Sequence, residues 1–545
     1  MRPPSRLYLV GALLAASWLN YASADTPPAP RLSGFGNIHR AITTRVPDAQ
    51  FWFDQGLQQA YAFDEFEAVR AFKGALQADP ACAMCAWGVA WQLGPTFNRP
   101  QRGDLSEARR YALMAQQLLP LTASPQDREL VSAMVTRYGW SDVIASAAPT
   151  LATDWCGSAA SVKANLLDLA YAQQMHMLSD TYPDDPDLQS LFLEAQMITA
   201  PRAGYDTQTL QTLPRTVALI NRVKAALRLH PNHTGLVHYY THVADTPADA
   251  APAARIGERL ARLAPDAPHL LHMPSHLYVR LGRFADAVHA NQRALEAQVR
   301  HAKNLEQQGF KLLKDWNSHN RRFLWVSAQI QGDGKTAMAM ARELADSAGA
   351  KDDDFSQYLR AMPLLTMVHF AQWQDILKTT DTASLAPHVV AHARGLALAR
   401  TGASADGEQQ ALEKIIAQTP AKSATLATLL LSPLKAEQAF AKGDQQAASA
   451  ELRAALPLET DFITVEKALW AGSAQRELGQ GLLRAGDFRG AEAAFRVNLQ
   501  QLPGNLFALR GLHQALLGQG KKTAAGKVKL QWRSSALLAD SSLRP

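Results

Sequence analysis

The sequence predicts an all-α solenoid built from helix–turn–helix units of 34 residues. Three observations carry that reading. One scheme of large, small and proline positions recurs near both ends of the chain. No convincing alternation of apolar and polar residues marks a half-buried strand. The 545 residues are too many for one compact core, yet they suit a continuous stack. In the first unit the scheme falls on Trp52, Gly56, Ala68, Phe72, Ala75 and Pro80. Small residues let two antiparallel helices approach, Trp52 and Phe72 fill the space between layers, and Pro80 ends the second helix.

Near the C-terminus, Leu478, Gly479, Leu482, Gly486, Phe488, Ala491, Phe495 and Pro503 repeat the scheme, with a further unit around Phe507–Ala525. A period of 34 is that of the tetratricopeptide repeat. The middle holds at least three more units. One runs from Thr234 to Leu263, and the next from Pro268 through the turn at Leu281–Ala287. A third starts near Ser318, after an extra stretch over Ala302–Asn317. Its turn, Gly332-Asp333-Gly334, runs into Lys335-Thr336 and mimics the end of a phosphate loop. The glycine that such a loop requires five residues earlier is Gln329, so the segment reads as a helix turn. The resulting division is a signal segment at 1–24, an N-terminal segment at 25–48 and N-terminal repeats at 49–120. A poorly matched helical region follows at 121–215, then central repeats at 216–345 and degenerate C-terminal repeats at 346–545.

The start has the form of a secretory signal: Arg2 and Arg6, an apolar run from Leu7 to Leu19, and Ala22-Ser23-Ala24 before Asp25. The expected location is therefore periplasmic or secreted. That run is too short for a stable membrane span, and no other stretch offers about 20 uninterrupted apolar residues. Cleavage would lower the formal charge from +6 by two arginines, to about +4, which says little about partners. Lys521, Lys522, Lys527, Lys529 and Arg533 read as a solvated helix face, and nucleic acid is not an expected partner. Of three cysteines, Cys82 and Cys85 form the expected disulfide, with redox cycling and metal ligation as alternatives. Ala86 follows where c-type haem attachment needs His, and Cys156 reads as a small buried hydrophobe.

Three segments carry a likeness to a known family. They are Phe53-Asp54-Gln55-Gly56-Leu57, the run Asp79–Gly88 around the two cysteines, and the run His272–Arg283. Together with the Leu478–Leu517 region they resemble a family of exported bacterial tetratricopeptide-repeat proteins of unestablished activity. Ala86 stands where a tyrosine is common in the resembling proteins. The resemblance implies the repeat fold and leaves function open.

Function is written mainly in the histidines. His238/His242 and His272/His276 are two pairs with the same internal spacing of four, 34 residues apart. That spacing puts both members of a pair on one helix face, one repeat layer from its twin. His269 and His319 share the second position of their units and are expected close enough to join. Up to six imidazoles on the concave surface would suit a transition metal, Cu or Zn ahead of Mg or Ca. Pro274 is expected to delay the local helix and tilt His269 out of line. Tyr239, Tyr240 and Tyr278 are candidate supports for the ligands, and Met175-His176-Met177 is a soft-ligand triplet with a core reading. The remaining histidines read as structural. Two other function classes stand beside metal binding: a scaffold holding a protein, peptide or small ligand in the groove, and a metal-dependent enzyme of unspecified reaction. The catalytic signatures searched for are absent. His238-Tyr239-Tyr240-Thr241-His242 lacks the zincin glutamate, and there is no nucleophile elbow or dinucleotide glycine motif. Glu194 is a conceivable general base with nothing local to support it.

Overall fold

The computed structural model describes residues 28–97, 103–139, 165–199, 204–206, 209–313, 315–419, 424–463 and 473–545. The signal segment and Cys156 lie outside the described residues. Helices succeed one another along the whole described chain, and an isolated bridge between Tyr205 and Thr212 is the β feature among the described residues. Successive helices pack as neighbours from Pro47 to Ser535, which makes the architecture an all-α repeat solenoid.

Complementary size holds each unit together. The Phe72 ring is fully buried between two helices, and a Cβ on Gly56 or Gly88 would lie 2.7 or 2.5 Å from it. At the far end Phe495 does the same against Gly479 and Gly511, where an added Cβ would lie 2.7 or 2.2 Å away. Caps set the helix starts. Asp185 accepts from the backbone N–H groups of Asp187 and Leu188, Asn505 from Phe507 and Ala508, and Ser473 from Arg476. Asp333 caps the helix Gly334–Ser347, so the segment that mimics a phosphate loop is a helix turn. Cys82 and Cys85 are joined by a disulfide across the first turn of the helix Ala83–Leu93. The region around 121–215, poorly matched to the repeat, contains Pro125–Arg137, Leu166–Thr181 and Pro186–Ile198, which stack in sequence.

The solenoid winds back on itself at both ends. The helix Pro47–Tyr61 packs on Thr234–Val243, where Gly235 makes room for Tyr61. Residues before it cross the central units: Gly34 accepts from the backbone of Asp266, and the Gln308 amide brackets the backbone of Arg31 at 2.8 and 3.0 Å. From the other end, the turn at Gly504 meets the turn at Gly282, and a Cβ on Gly282 would lie 2.1 Å from the Pro503 carbonyl oxygen. Such contacts between units far apart in sequence are what bring residues 61–97 and 316–323 to the histidines.

Candidate metal centre

The six histidines sort into two triads. His238, His242 and His269 form one, and His272, His276 and His319 the other; in each the ligand atoms lie within 4.8 Å of one another. In the first, the His238 Nε2 lies 3.0 Å from His242 Nε2 and 3.1 Å from His269 Nε2. In the second, the His272 Nε2 lies 2.9 Å from His276 Nε2 and 3.0 Å from His319 Nε2. The expected pooling of both pairs into one site is therefore corrected. Each pair recruits one further histidine and makes its own centre.

The reason lies at Pro274. The helix breaks into Pro268–His272 and Pro274–Arg280, with Met273 still in the right-handed helical region between them. Pro274 takes the first position of the second piece, where its missing N–H costs nothing. His269 is not tilted away, as the sequence suggests. It points back one layer to His238, while His272, one turn on, points to His276 and to His319 on Asn317–Gln331.

Hydrogen bonds fix the tautomers of the two central rings. The His238 Nδ1 lies 2.6 Å from the Tyr61 carbonyl oxygen, which accepts only, so Nδ1 carries the proton and Nε2 presents its lone pair inward. The His272 Nδ1 lies 2.6 Å from Asn291 Oδ1. The Asn291 Nδ2 donates to the Ala287 carbonyl, which fixes the amide orientation and makes His272 Nδ1 the donor. His272 Nε2 likewise faces inward with a lone pair. Burial keeps both rings neutral: it pushes His238 down to about 3 and holds His272 and His269 well below the usual histidine range. An imidazole nitrogen has one lone pair, and it cannot accept from two N–H groups at once. Two neighbours at hydrogen-bond distance from each central Nε2 are thus not satisfied by hydrogen bonds alone. A cation at the centre of each triad satisfies all three nitrogens.

The surroundings are aromatic. Phe63 stacks on His269 and His242 and meets His238 edge-on; Phe97 meets His242 edge-on. Trp316 stacks on His269 at 4.2 Å, and Phe323 touches all three rings of the second triad. His238, His269, His272 and His319 are buried, and His242 and His276 are half-buried. The expected open groove is thus a pair of enclosed sites with one partly accessible ring each. The tyrosines are not ligand supports: the Tyr278 hydroxyl donates to Glu258, and the supporting acceptors are Tyr61 and Asn291. Nor is the soft-ligand triplet a site, since Met175 is buried and Met177 exposed. Glu194 is buried far from both triads in sequence and accepts from the Trp91 indole; burial raises it to about 7.

Phe63 occupies a strained position. It closes the helix Pro47–Tyr61 with φ of 56°, and its N–H and that of Asp64 bond back to Ala60 and Gln59. The same motif elsewhere uses Gly282 and Gly486. A phenylalanine there costs about 1–2 kcal/mol of backbone strain. Its ring repays part of that by walling the first triad. Phe63→Gly is expected to leave thermal stability within about 2 kcal/mol of wild type, because relieved strain offsets lost packing. It should also raise the metal dissociation constant of the first triad alone. Equal weakening of both triads would refute this assignment of Phe63.

Two further results are expected. Asn291→Ala frees the His272 ring and should weaken the second triad about 10–100-fold with little change in the first, read by competitive metal titration. Acid should destabilise the metal-free chain. Burial depresses His238, His269, His272, His369 and His392, so the unfolded chain takes up more protons below the ordinary histidine value of about 6.5. Stability is then full above that value and is lost as pH falls below it. Glu67 and Glu194, both raised to about 7 by burial, act with opposite sign between their ordinary value and 7, but they are outnumbered. Melting temperatures should fall between about pH 7 and pH 5; a constant midpoint would contradict the burial argument.

Fold and site together define a helical-repeat protein with two adjacent three-histidine clusters. No family model matches the chain. Among solved structures, the human IFIT1 dimer with m7Gppp-AAAA aligns over 91% of this chain and 92% of its own, at 11% identity and a TM-score of 0.32. Yeast Tom70 aligns over 90% and 91%, at 12% identity and a TM-score of 0.30. At these scores the likeness carries no functional content. Leucine--tRNA ligase from Mycolicibacterium paratuberculosis is 32% identical over 96 residues, which is 18% of this chain and 10% of the ligase. A second, from Mycobacterium avium, is 31% identical over 96 residues. The chain thus spans about a tenth of the length of the curated relatives it matches.

Proposed function

We propose that this protein binds two transition-metal ions, copper or zinc, one in each histidine triad. A single observation carries the reading: each central Nε2, tautomerically locked with its lone pair inward, faces two other imidazole nitrogens at 2.9–3.1 Å. Neutral imidazole suits Cu and Zn, and three such ligands leave a position for water or substrate. The half-buried His242 and His276 mark the side from which a ligand approaches. Export belongs to the same proposal. It is supported by the signal-like first 24 residues and by the Cys82–Cys85 disulfide, which suits an oxidising compartment.

The test is elemental analysis of full-length protein purified without a His tag, with metal added back to chelated protein. About two equivalents of Cu or Zn per chain are expected. Protein that arrives metal-free and fails to take up either ion at micromolar concentration would sink the reading.

A second reading, a binding scaffold, rests on a separate cavity of about 740 Å³ among the C-terminal units. Arg400, Arg476, Arg484 and Arg510 line it beside Trp373 and Phe507, a wall suited to an acidic ligand or peptide. Loss of metal should leave that cavity's binding unchanged.

A further inference from the structure

We infer that the two triads form one dinuclear copper centre that binds dioxygen between its metals; the inference rests on the metal-binding reading above. Proximity is the first support. His269 serves one triad and His272 the other, yet they are three residues apart on a single helical turn, Pro268–His272, with ring centroids 6.0 Å apart. Side chains so spaced on a helix are neighbours, about 5–6 Å apart at Cβ. Trp316 joins the two halves, stacked on His269 at 4.2 Å and edge-on to His319 at 5.9 Å.

Charge is the second support. Every member of both triads is an imidazole, and no carboxylate belongs to either group among the described residues. Two divalent ions on six neutral ligands would place four positive charges in a buried aromatic enclosure, at a large desolvation cost. Two remedies exist: metals that carry one charge each, or an anion bridging them. Zinc has access only to the second. Copper has both, since three imidazoles complete a shell for Cu(I), and oxidised Cu(II) accepts further oxygen ligands. The ligand set therefore favours copper, reduced when the bridge is empty and oxidised when an anion fills it.

Dioxygen links those two states. Each Cu(I) gives up one electron, the two electrons reduce dioxygen to peroxide, and Cu–O bonds form to both metals as the π bond of dioxygen is lost. No proton and no other reductant is needed. The walls made by Phe63, Phe97, Trp316 and Phe323 keep the reduced anion away from bulk water. His242 and His276, at equivalent positions of consecutive repeats, leave the approach on one side.

The test uses full-length untagged protein loaded anaerobically with two equivalents of Cu(I) and then exposed to dioxygen. Expected are uptake of one dioxygen per two coppers, an intense charge-transfer absorption absent before exposure, and no Cu(II) resonance, because the paired spins couple. His242→Ala and His276→Ala, each checked for native circular dichroism, should hold one copper, show no such absorption and give one full spin per copper after oxidation. Two coppers bound with two uncoupled spins after oxidation would overturn the dinuclear centre and leave metal binding standing. Two coppers that take up no dioxygen would do the same. A chain that binds no copper would overturn both.

Discussion

His242→Ala is expected to remove one metal equivalent from the chain and leave the other in place, and His276→Ala to do the same at the second triad. The half-buried rings are the right targets, since the buried central rings hold packing as well as metal. Structural zinc sites bind with about 10–16 kcal/mol, so one ligand of a few is worth roughly 3 kcal/mol, or on the order of a hundred-fold in affinity. Metal content after dialysis should fall from about two to about one, and the double variant should retain almost none. If either single variant lost both metals together, or neither, the partition into His238/His242/His269 and His272/His276/His319 would be wrong.

Phe72→Ala is expected to cost about 3–5 kcal/mol, the range for emptying a fully buried aromatic position. Collapse cannot refill the space, because Gly56 and Gly88 face the ring with no side chain of their own. The effect should also reach the metal. Phe72 holds the helix Pro47–Tyr61, whose last residue supplies the carbonyl that orients His238 and whose terminating turn carries Phe63. Urea titration followed by circular dichroism should show the destabilisation, and the first triad should weaken ahead of the second. Phe495→Ala, similarly placed but at the far end, should destabilise without that bias. Equal metal affinities in the two variants would show that the N-terminal unit does not support the first triad.

What could be read from the sequence follows period. Spacing of four within the histidine pairs and 34 between them places His238, His242, His272 and His276 on equivalent helix faces, and the Gly/Phe complementarity of the end units is visible as a pattern. Two features escaped. The division of His269 and His319 between triads depends on how one helix bends at Pro274, which sequence spacing does not encode. The supports, Tyr61, Phe63 and Asn291, lie up to 177 residues from the rings they touch, and only the inward winding of the solenoid brings the first two there. One signal was present: Phe63 stands in a helix-ending position that glycine fills elsewhere in this chain. A residue that tolerates the wrong backbone geometry is held there by something its side chain does.

The return of both chain ends onto the central units changes how such an array should come apart. A linear repeat stack frays from its termini, because each unit is secured by its neighbours alone. Here the Gly282–Pro503 turn contact and the Asp266–Gly34 hydrogen bond tie the first and last units to the middle. The ligands span Thr234–Val243, Pro268–Arg280 and Asn317–Gln331. Occupied sites would rivet these helices into a single block, so fraying from either end would halt there. The metal-free protein should melt gradually along its length. The loaded protein should resist until its centre gives way, and then fail in one step.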